Sequence, residues 1–256
     1  MSTGNSNFYD KVAEKFGGYK SGVNIVSEYT NGNPEQIFKQ KLMEYSGENI
    51  VALDVGCADG RNTLDSASAF KQIIAIDLSQ GMLEAAGRNQ RELKIRNVNF
   101  ELADSSKTGF SNGSFDVIYS RRGPTDYKEY FRILKTDGIY LEIQIGENDA
   151  RQIKEIFGRG QDYGEWSSSK LSRNKKELEE QGFEIVFAQD YVYSEYYSSY
   201  RDLERFLQSV PIFEDFDESG DKLLLQEYVN INTSPKGVLL PRHRILIVAQ
   251  KHSRGT

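Results

Sequence analysis

Between residues 50 and 145 the chain alternates short apolar runs with segments of helical periodicity, and this rhythm constrains the fold more than any other feature. Apolar runs recur over 50–55, 71–77, 98–102, 115–119 and 139–145. Taken singly, such a run can be a buried strand or a piece of buried helix, since periodicity does not separate the two. The segments between them differ in kind. Residues 61–70 put Leu64 and Ala67 on one side, and Ser79 can cap a helix to about residue 91 with Met82, Leu83 and Ala86 inward. Pro124 can start another, in which Tyr127, Tyr130, Phe131 and Leu134 fall at i, i+3, i+4 and i+7. Strands alternating with helices predict a parallel sheet covered on both faces. Right-handed crossovers then gather the strand C-termini along one edge, where open α/β sheets bind ligands. Asp54, Asp77, Asp104 and the pair Ser120-Arg121 fall at or near those ends.

The first of these ends, VALDVGCADGRN over 51–62, joins a strand to two glycines and a helix start at Arg61. Bare backbone N–H groups and the positive end of a helix dipole would face a ligand there. A nicotinamide dinucleotide would call for G-x-G-x-x-G, and Gly56-Cys57-Ala58-Asp59-Gly60 lacks that spacing. The D-x-G-x-x-x-G pattern of Asp54, Gly56 and Gly60 instead resembles motif I of the class I S-adenosylmethionine-dependent methyltransferases. The resemblance runs from about residue 50 to 146. IIAIDLSQGML (73–83), the strand-end Asp104, FDVIYS (115–120) and RILKTDGIYLEI (132–143) follow in the family's order.

The resemblance implies a doubly wound, Rossmann-like α/β fold with a seven-stranded mixed sheet ending in an antiparallel pair. It implies S-adenosyl-L-methionine as methyl donor and S-adenosyl-L-homocysteine as product. Asp77 would accept the ribose hydroxyls, Leu78 and Met82 would touch the adenine, and Asp104 with Ser105 would meet its amino group. Gly56 and Gly60 would let backbone approach the methionine portion, whose amino end Asp54 would help hold. Tyr19, Cys57, Ala58, Ser120 and Arg121 complete the expected cofactor set. Cys57 is read as a small packed residue and not a nucleophile, having no cysteine partner and no nearby Lys or His in sequence. Ala58 stands where many members have glycine. A left-handed backbone would strain an alanine; with the flanking pattern intact, we expect an ordinary backbone whose methyl group narrows the pocket.

The rest of the chain is read around this core. Residues 1–47 form a helical cover, with Phe8, Val12, Ala13 and Phe16 on one helix face and a second helix started by Asn33-Pro34 and Gln36. The methyltransferase domain spans 48–256, with helices expected over 148–157, 172–181, 200–210 and 222–229 and strands over 183–187 and 245–249. Residues 191–236, rich in tyrosine, are expected as a helical insertion between the last two strands. Formal charge is −6, against any general affinity for nucleic acid or anionic membrane. One cysteine and two histidines make a disulfide or a His/Cys metal site unexpected, and no metal is called for. With no secretory signal in MSTGNSNFYD and no apolar run of spanning length, a cytoplasmic protein is expected.

For the acceptor the sequence offers Ser120-Arg121-Arg122-Gly123-Pro124 and no recognisable N-methyltransferase motif. Arg121 and Arg122 can bind a carboxylate or phosphate, or one can pair with Glu142 or Glu147 while the other is solvated. Gln144 and Glu147 can line the acceptor pocket, and Tyr19 with the insertion tyrosines can form a lid or simply pack. His243 is a conceivable base, or a structural residue before an edge-like strand. No catalytic side chain is assigned. The expected acceptor is a small molecule that is acidic or bears a heteroatom. Alternatives are an RNA base, with Arg121, Arg122, Arg242 and Arg244 on phosphates, and a regulatory module that binds S-adenosylmethionine without catalysis.

Overall fold

In the computed structural model, residues 4–19 and 22–252 are described; residues 1–3 of the stretch read for a secretory signal lie outside them. The elements run α1 (Gly4–Phe16), β1 (Ile25–Tyr29), α2 (Pro34–Glu44), β2 (Gly47–Val55), α3 (Arg61–Ser66) with a 3-10 turn, and β3 (Phe70–Asp77). Next come α4 (Gln80–Leu93), β4 (Val98–Leu102), β5 (Phe115–Arg121), α5 (Tyr127–Ile133), β6 (Leu134–Ile145), α6 (Arg151–Phe157) and α7 (Lys170–Gln181). The chain closes with β7 (Phe183–Tyr197), α8 (Tyr200–Leu207), α9 (Lys222–Asn232), β8 (Thr233–Ser234) and β9 (Gly237–Lys251). One sheet has the order β1-β7-β9-β6-β5-β2-β3-β4, with β8 paired to β9. β2 to β6 are parallel, and β9 lies antiparallel between β6 and β7. The seven strands expected from sequence are all present, and β1 and β8 extend the sheet to nine.

Both faces of this sheet are buried, which explains the continuous apolar runs. Ala52, Ile73, Val117, Leu141 and Leu246 pack beneath Phe38 and Leu42 of α2 and Leu64 of α3. Leu53, Ile76, Ile118, Tyr140 and Ile247 pack on the opposite side against Tyr127, Tyr130 and Ile133 of α5 and Leu178 of α7. Asn33 caps α2 through its Oδ1, which accepts from the N–H groups of Glu35 and Gln36, and Asp126 caps α5. The α5 helix therefore starts three residues after Pro124, because the intervening segment turns over the end of β2. A separate apolar cluster joins α6, α8 and α9. Val12 and Ala13 of α1 pack on Met82 of α4.

Three expectations need correction. The tyrosines at 191–197, expected in the insertion, belong to β7, where Tyr191, Tyr193 and Tyr197 alternate inward and are buried. Their period of two is masked in sequence by the polar hydroxyls, and the insertion is confined to the helical stretch after Tyr197. Residues 25–29, left without an element, pair as β1 along the outer edge of β7. The strand carrying His243 is no edge: β9 runs unbroken through Pro241 between two neighbours. Proline is tolerated because β6 ends at the partner of Arg244, leaving that side of β9 open. The Pro241 carbonyl there accepts from the Ala150 N–H at 3.0 Å, so the N–H that proline lacks would have had no strand to pair with.

Among the described residues no helix is long and apolar enough to cross a membrane. At the end of β6, a side chain on Gly146 would fall within the imidazole ring of His243, whose backbone carbonyl accepts the Gly146 N–H at 3.0 Å. Gly146→Ala is expected to cost about 2–3 kcal/mol or more through overpacking. A lowered urea midpoint at unchanged slope would record it; an unchanged midpoint would show that β9 can shift.

Candidate functional site

The parallel strand order reverses between β2 and β5, so the connections leave their C-terminal ends in opposite directions and open a crevice there. At the β2 side, Gly56 and Cys57 both donate N–H bonds to Ile76 O, at 2.9 and 3.1 Å, tying the turn to the end of β3. Gly56 has φ +76°, and a Cβ on it would lie 3.0 Å from the Gly123 Cα in the loop after β5. Gly60, at φ +71°, would meet the Phe100 ring at 2.5 Å. Both glycines are demanded by backbone conformation and by space. Ala58 corrects the sequence expectation: its φ is +48°, in the left-handed region. Its N–H is held by Asp77 Oδ2 at 2.8 Å. An alanine in this conformation costs about 1–2 kcal/mol, and that bond helps to hold it there.

Asp77 ends β3 with its other oxygen, Oδ1, accepting the Ser79 N–H at 2.9 Å. Burial raises its pKa, and the two backbone donors oppose the rise. Each carboxylate oxygen keeps a lone pair for a further donor. Beside it Leu78 is 51% exposed, whereas Met82 is fully buried. Met82 packs between α4 and α1, and Leu78 offers apolar surface at this edge. Asp104 is exposed beyond β4, its Oδ1 accepting from Ser106 N and Oγ, which lower its pKa; Ser105 is buried.

Asp54 lies 4% exposed one residue before the end of β2 and accepts from Thr63 Oγ1 at 2.6 Å. Burial pushes its carboxyl up to about 6, against the lowering influence of Thr63 and Arg121. The same burial, with Asp54 and Asp77 nearby, raises the Cys57 thiol well above its ordinary value and keeps it protonated. Ser120 is buried and donates to Val55 O at 3.1 Å.

The N-terminal segment closes over this edge. Asp10 of α1 accepts from Ser79 Oγ and Gly81 N, at 2.5 and 3.0 Å, at the start of α4. Asp59 accepts the Tyr19 N–H at 2.8 Å and also pairs with Arg61. The Tyr19 ring meets Tyr9 edge-on at 5.8 Å. Burial, then Tyr19 and Asp77, hold the Tyr9 hydroxyl well above its usual pKa.

On the β5 side, Arg121 and Arg122 pair with neither Glu142 nor Glu147. Both bind Glu35 of α2: Arg121 through Nε and Nη2 to Oε2, and Arg122 through Nη1 to Oε1 at 2.8 Å. Burial would raise the Glu35 pKa, but Arg122 and Arg121 together bring it down to about 2. Glu142 lies on the other face, accepting from Tyr127 and Tyr140 hydroxyls and Asn174. Gln144 donates to Gly123 O at 3.0 Å, holding the loop that crosses Gly56. Glu147 accepts the Lys170 N–H at 3.1 Å. The buried His243 accepts the Asn148 N–H at Nδ1, which occupies the nitrogen a base would need. Glu35, Asp10, Asp59 and Thr63 went unnoticed in the sequence. Asp59 sits inside the recognised turn, but nothing local marks the other three beyond ordinary helical residues.

Residues 52–138 match the family model described as a methyltransferase domain. Over 160 residues the chain is 29% identical to the demethylmenaquinone methyltransferase of Lactococcus lactis subsp. lactis (strain IL1403), covering 58% of this chain and 64% of that protein. The chain thus spans less than two thirds of that relative. The solved phosphoethanolamine N-methyltransferase 2 of Haemonchus contortus, bound to S-adenosylhomocysteine and phosphomonomethylethanolamine, superposes with a TM-score of 0.55 at 18% identity, covering 85% of this chain and 53% of that one. The cyclase SpnF superposes with a TM-score of 0.63 at 17% identity, covering 97% and 95%. The last two likenesses show a shared fold; a shared fold hosts more than one reaction.

The strain at residue 58 is measurable. Ala58→Gly relieves about 1–2 kcal/mol of left-handed strain but adds about 0.4–1 kcal/mol of chain entropy to be lost on folding. A net gain of about 0.5–1 kcal/mol in urea denaturation is expected; a loss would mean that the methyl contacts outweigh the strain.

Proposed function

We propose that the chain is a class I S-adenosylmethionine-dependent methyltransferase and that it transfers the methyl group of S-adenosylmethionine to a small-molecule acceptor. The observation that carries this reading is the convergence of Asp54, the Gly56–Gly60 turn, Asp77 and Asp104 on one sheet edge. The donor set suits the proposed cofactor. Asp77, steadied by two backbone N–H groups, has lone pairs left for ribose hydroxyls. Asp54 is a desolvated carboxylate that gains from an ammonium partner. Leu78 offers apolar surface, and Gly56 and Gly60 allow close backbone approach.

When bound, the sulfonium supplies a methyl group already activated for attack. The protein's part is then to align and to exclude water. Gln144 fixes the Gly123 loop, α1 closes over α4, and Asp59 pins Tyr19 above the turn. Positioning of this kind can supply roughly 7–11 kcal/mol of barrier lowering. No side chain in the crevice is assigned as a general base.

The acceptor is read as small because Arg242 and Arg244, which an RNA substrate would need on its phosphates, are only 5% and 2% exposed. That leaves little basic surface for a polyanion. A screen with labelled cofactor against metabolites and RNA fractions tests the reaction. Labelled RNA alone would reverse the acceptor class, and no transfer despite cofactor binding would favour a regulatory module.

Calorimetry tests the cofactor. S-adenosylhomocysteine is expected to bind the folded protein, and Asp77→Ala should weaken it at least tenfold; equal affinity would remove Asp77 from the ribose. The pH dependence follows from Asp54. Its folded pKa of about 6 exceeds an unfolded value of about 3.9, so its stabilising contribution is full below about pH 4 and lost as pH rises through about 6, on the order of 3 kcal/mol in all. An ammonium on the ionised carboxylate recovers part of that loss. Affinity for S-adenosylhomocysteine should therefore climb between about pH 5 and 7 in the native protein and stay flat in Asp54→Asn; equal profiles would sever Asp54 from the amino end.

A further inference from the structure

We propose that the methyl acceptor carries an oxyanion, a carboxylate or a phosphate. It would be held between Arg121 and Arg122 at the mouth of the crevice and Arg244 at its floor, in the place where Glu35 now stands. This rests on the methyltransferase reading and deepens it.

Two observations lead there. Consecutive residues at a strand end normally point to opposite faces. Arg122 breaks that alternation with φ +59°, its N–H bonded to Ile143 O at 2.7 Å, and both guanidinium groups reach one carboxylate. A left-handed arginine costs about 1–2 kcal/mol, so the pairing of the two side chains is bought with strain. The Glu35 side chain they hold comes from a separate element, in the first turn of α2, and is 28% exposed. Rotation of that side chain alone would uncover both.

The second observation is Arg244, 2% exposed and lying on the α2 face two residues before Leu246. Its Nη1 donates to Asp149 Oδ1 and His243 O, at 2.5 and 2.8 Å. Among the described residues its buried Nε has no hydrogen-bond partner. Nε and Nη2 form one edge of the guanidinium fork, the edge that takes an oxyanion in bidentate fashion. A buried charged donor left unmet is costly, and native proteins seldom leave one so. The Tyr193 ring centroid lies 6.0 Å from the guanidinium carbon and covers a face of the group. The helix α2, which carries Glu35, packs against β9, which carries Arg244, and the Arg244 charge adds to the lowering of the Glu35 pKa.

The test uses the full chain saturated with S-adenosylhomocysteine, so that the carboxylate of the cofactor is already seated, and titrates inorganic phosphate and acetate by calorimetry. At least one is expected to bind in the millimolar range; phosphate alone points to a phosphate monoester and acetate alone to a carboxylic acid. Glu35→Gln should tighten that binding at least fivefold by removing the internal competitor. Arg244→Lys, which keeps the charge beside Asp149 but loses the planar edge, should weaken it at least tenfold, as should the more exposed Arg122→Gln, with S-adenosylhomocysteine affinity within threefold of native. Binding of neither anion, or no response to Glu35→Gln and Arg244→Lys, would overturn the proposal with the cofactor reading intact. Failure of S-adenosylhomocysteine itself to bind would overturn both.

Discussion

The hydrogen bond from the Ala58 N–H to Asp77 holds the centre of this molecule together. It joins the turn after β2 to the end of β3, two strands already side by side in the sheet, at the point where the chain must change from strand to helix. The turn reaches that bond only by carrying three residues, Gly56, Ala58 and Gly60, at positive φ. Two of them pay nothing for it, and the third is an alanine kept in place by a carboxylate that burial makes reluctant to ionise. Strain and desolvation are thus concentrated where the proposed cofactor would bind. Such costs persist at a site when the surrounding structure over-determines them.

The N-terminal segment turns this edge into an enclosed place. It touches the core through polar contacts at its critical points: Asp10 on the start of α4, Tyr19 on Asp59, and Glu35 on the two arginines after β5. Each carboxylate meets either backbone donors or a cation that a ligand could also engage. The apolar anchor of α1 on Met82 keeps the segment attached.

Much of the fold was legible beforehand because its signals are local. The five parallel strands, the Ser79 cap and the Asn33-Pro34 helix start come from short-range periodicity and capping chemistry, and each appears within a few residues of its expected bounds. The failures are equally physical. Tyr191 to Tyr197 looked polar, yet their hydroxyls reach acceptors or tolerate burial while the rings pack in β7. The last strand, expected over 245–249, begins already at Gly237, because the ending of β6 that leaves room for Pro241 is a tertiary fact. Ala58 was expected to avoid positive φ, since its propensity says so and the demand comes from Asp77, nineteen residues away.

By itself, then, the sequence determined the alternating architecture, the glycine-bounded turn and the acids at the strand ends, all written in residue types at fixed local spacing. Tertiary structure alone decided which partner each charge meets. Arg121 and Arg122 find Glu35 across 86 and 87 residues of chain, and Arg244 meets Asp149 across 95. Met82, on the inner side of α4, meets Val12 and Ala13 of α1. Long-range pairing depends on where packed elements bring side chains within about 3 Å of each other, and no local pattern encodes that distance.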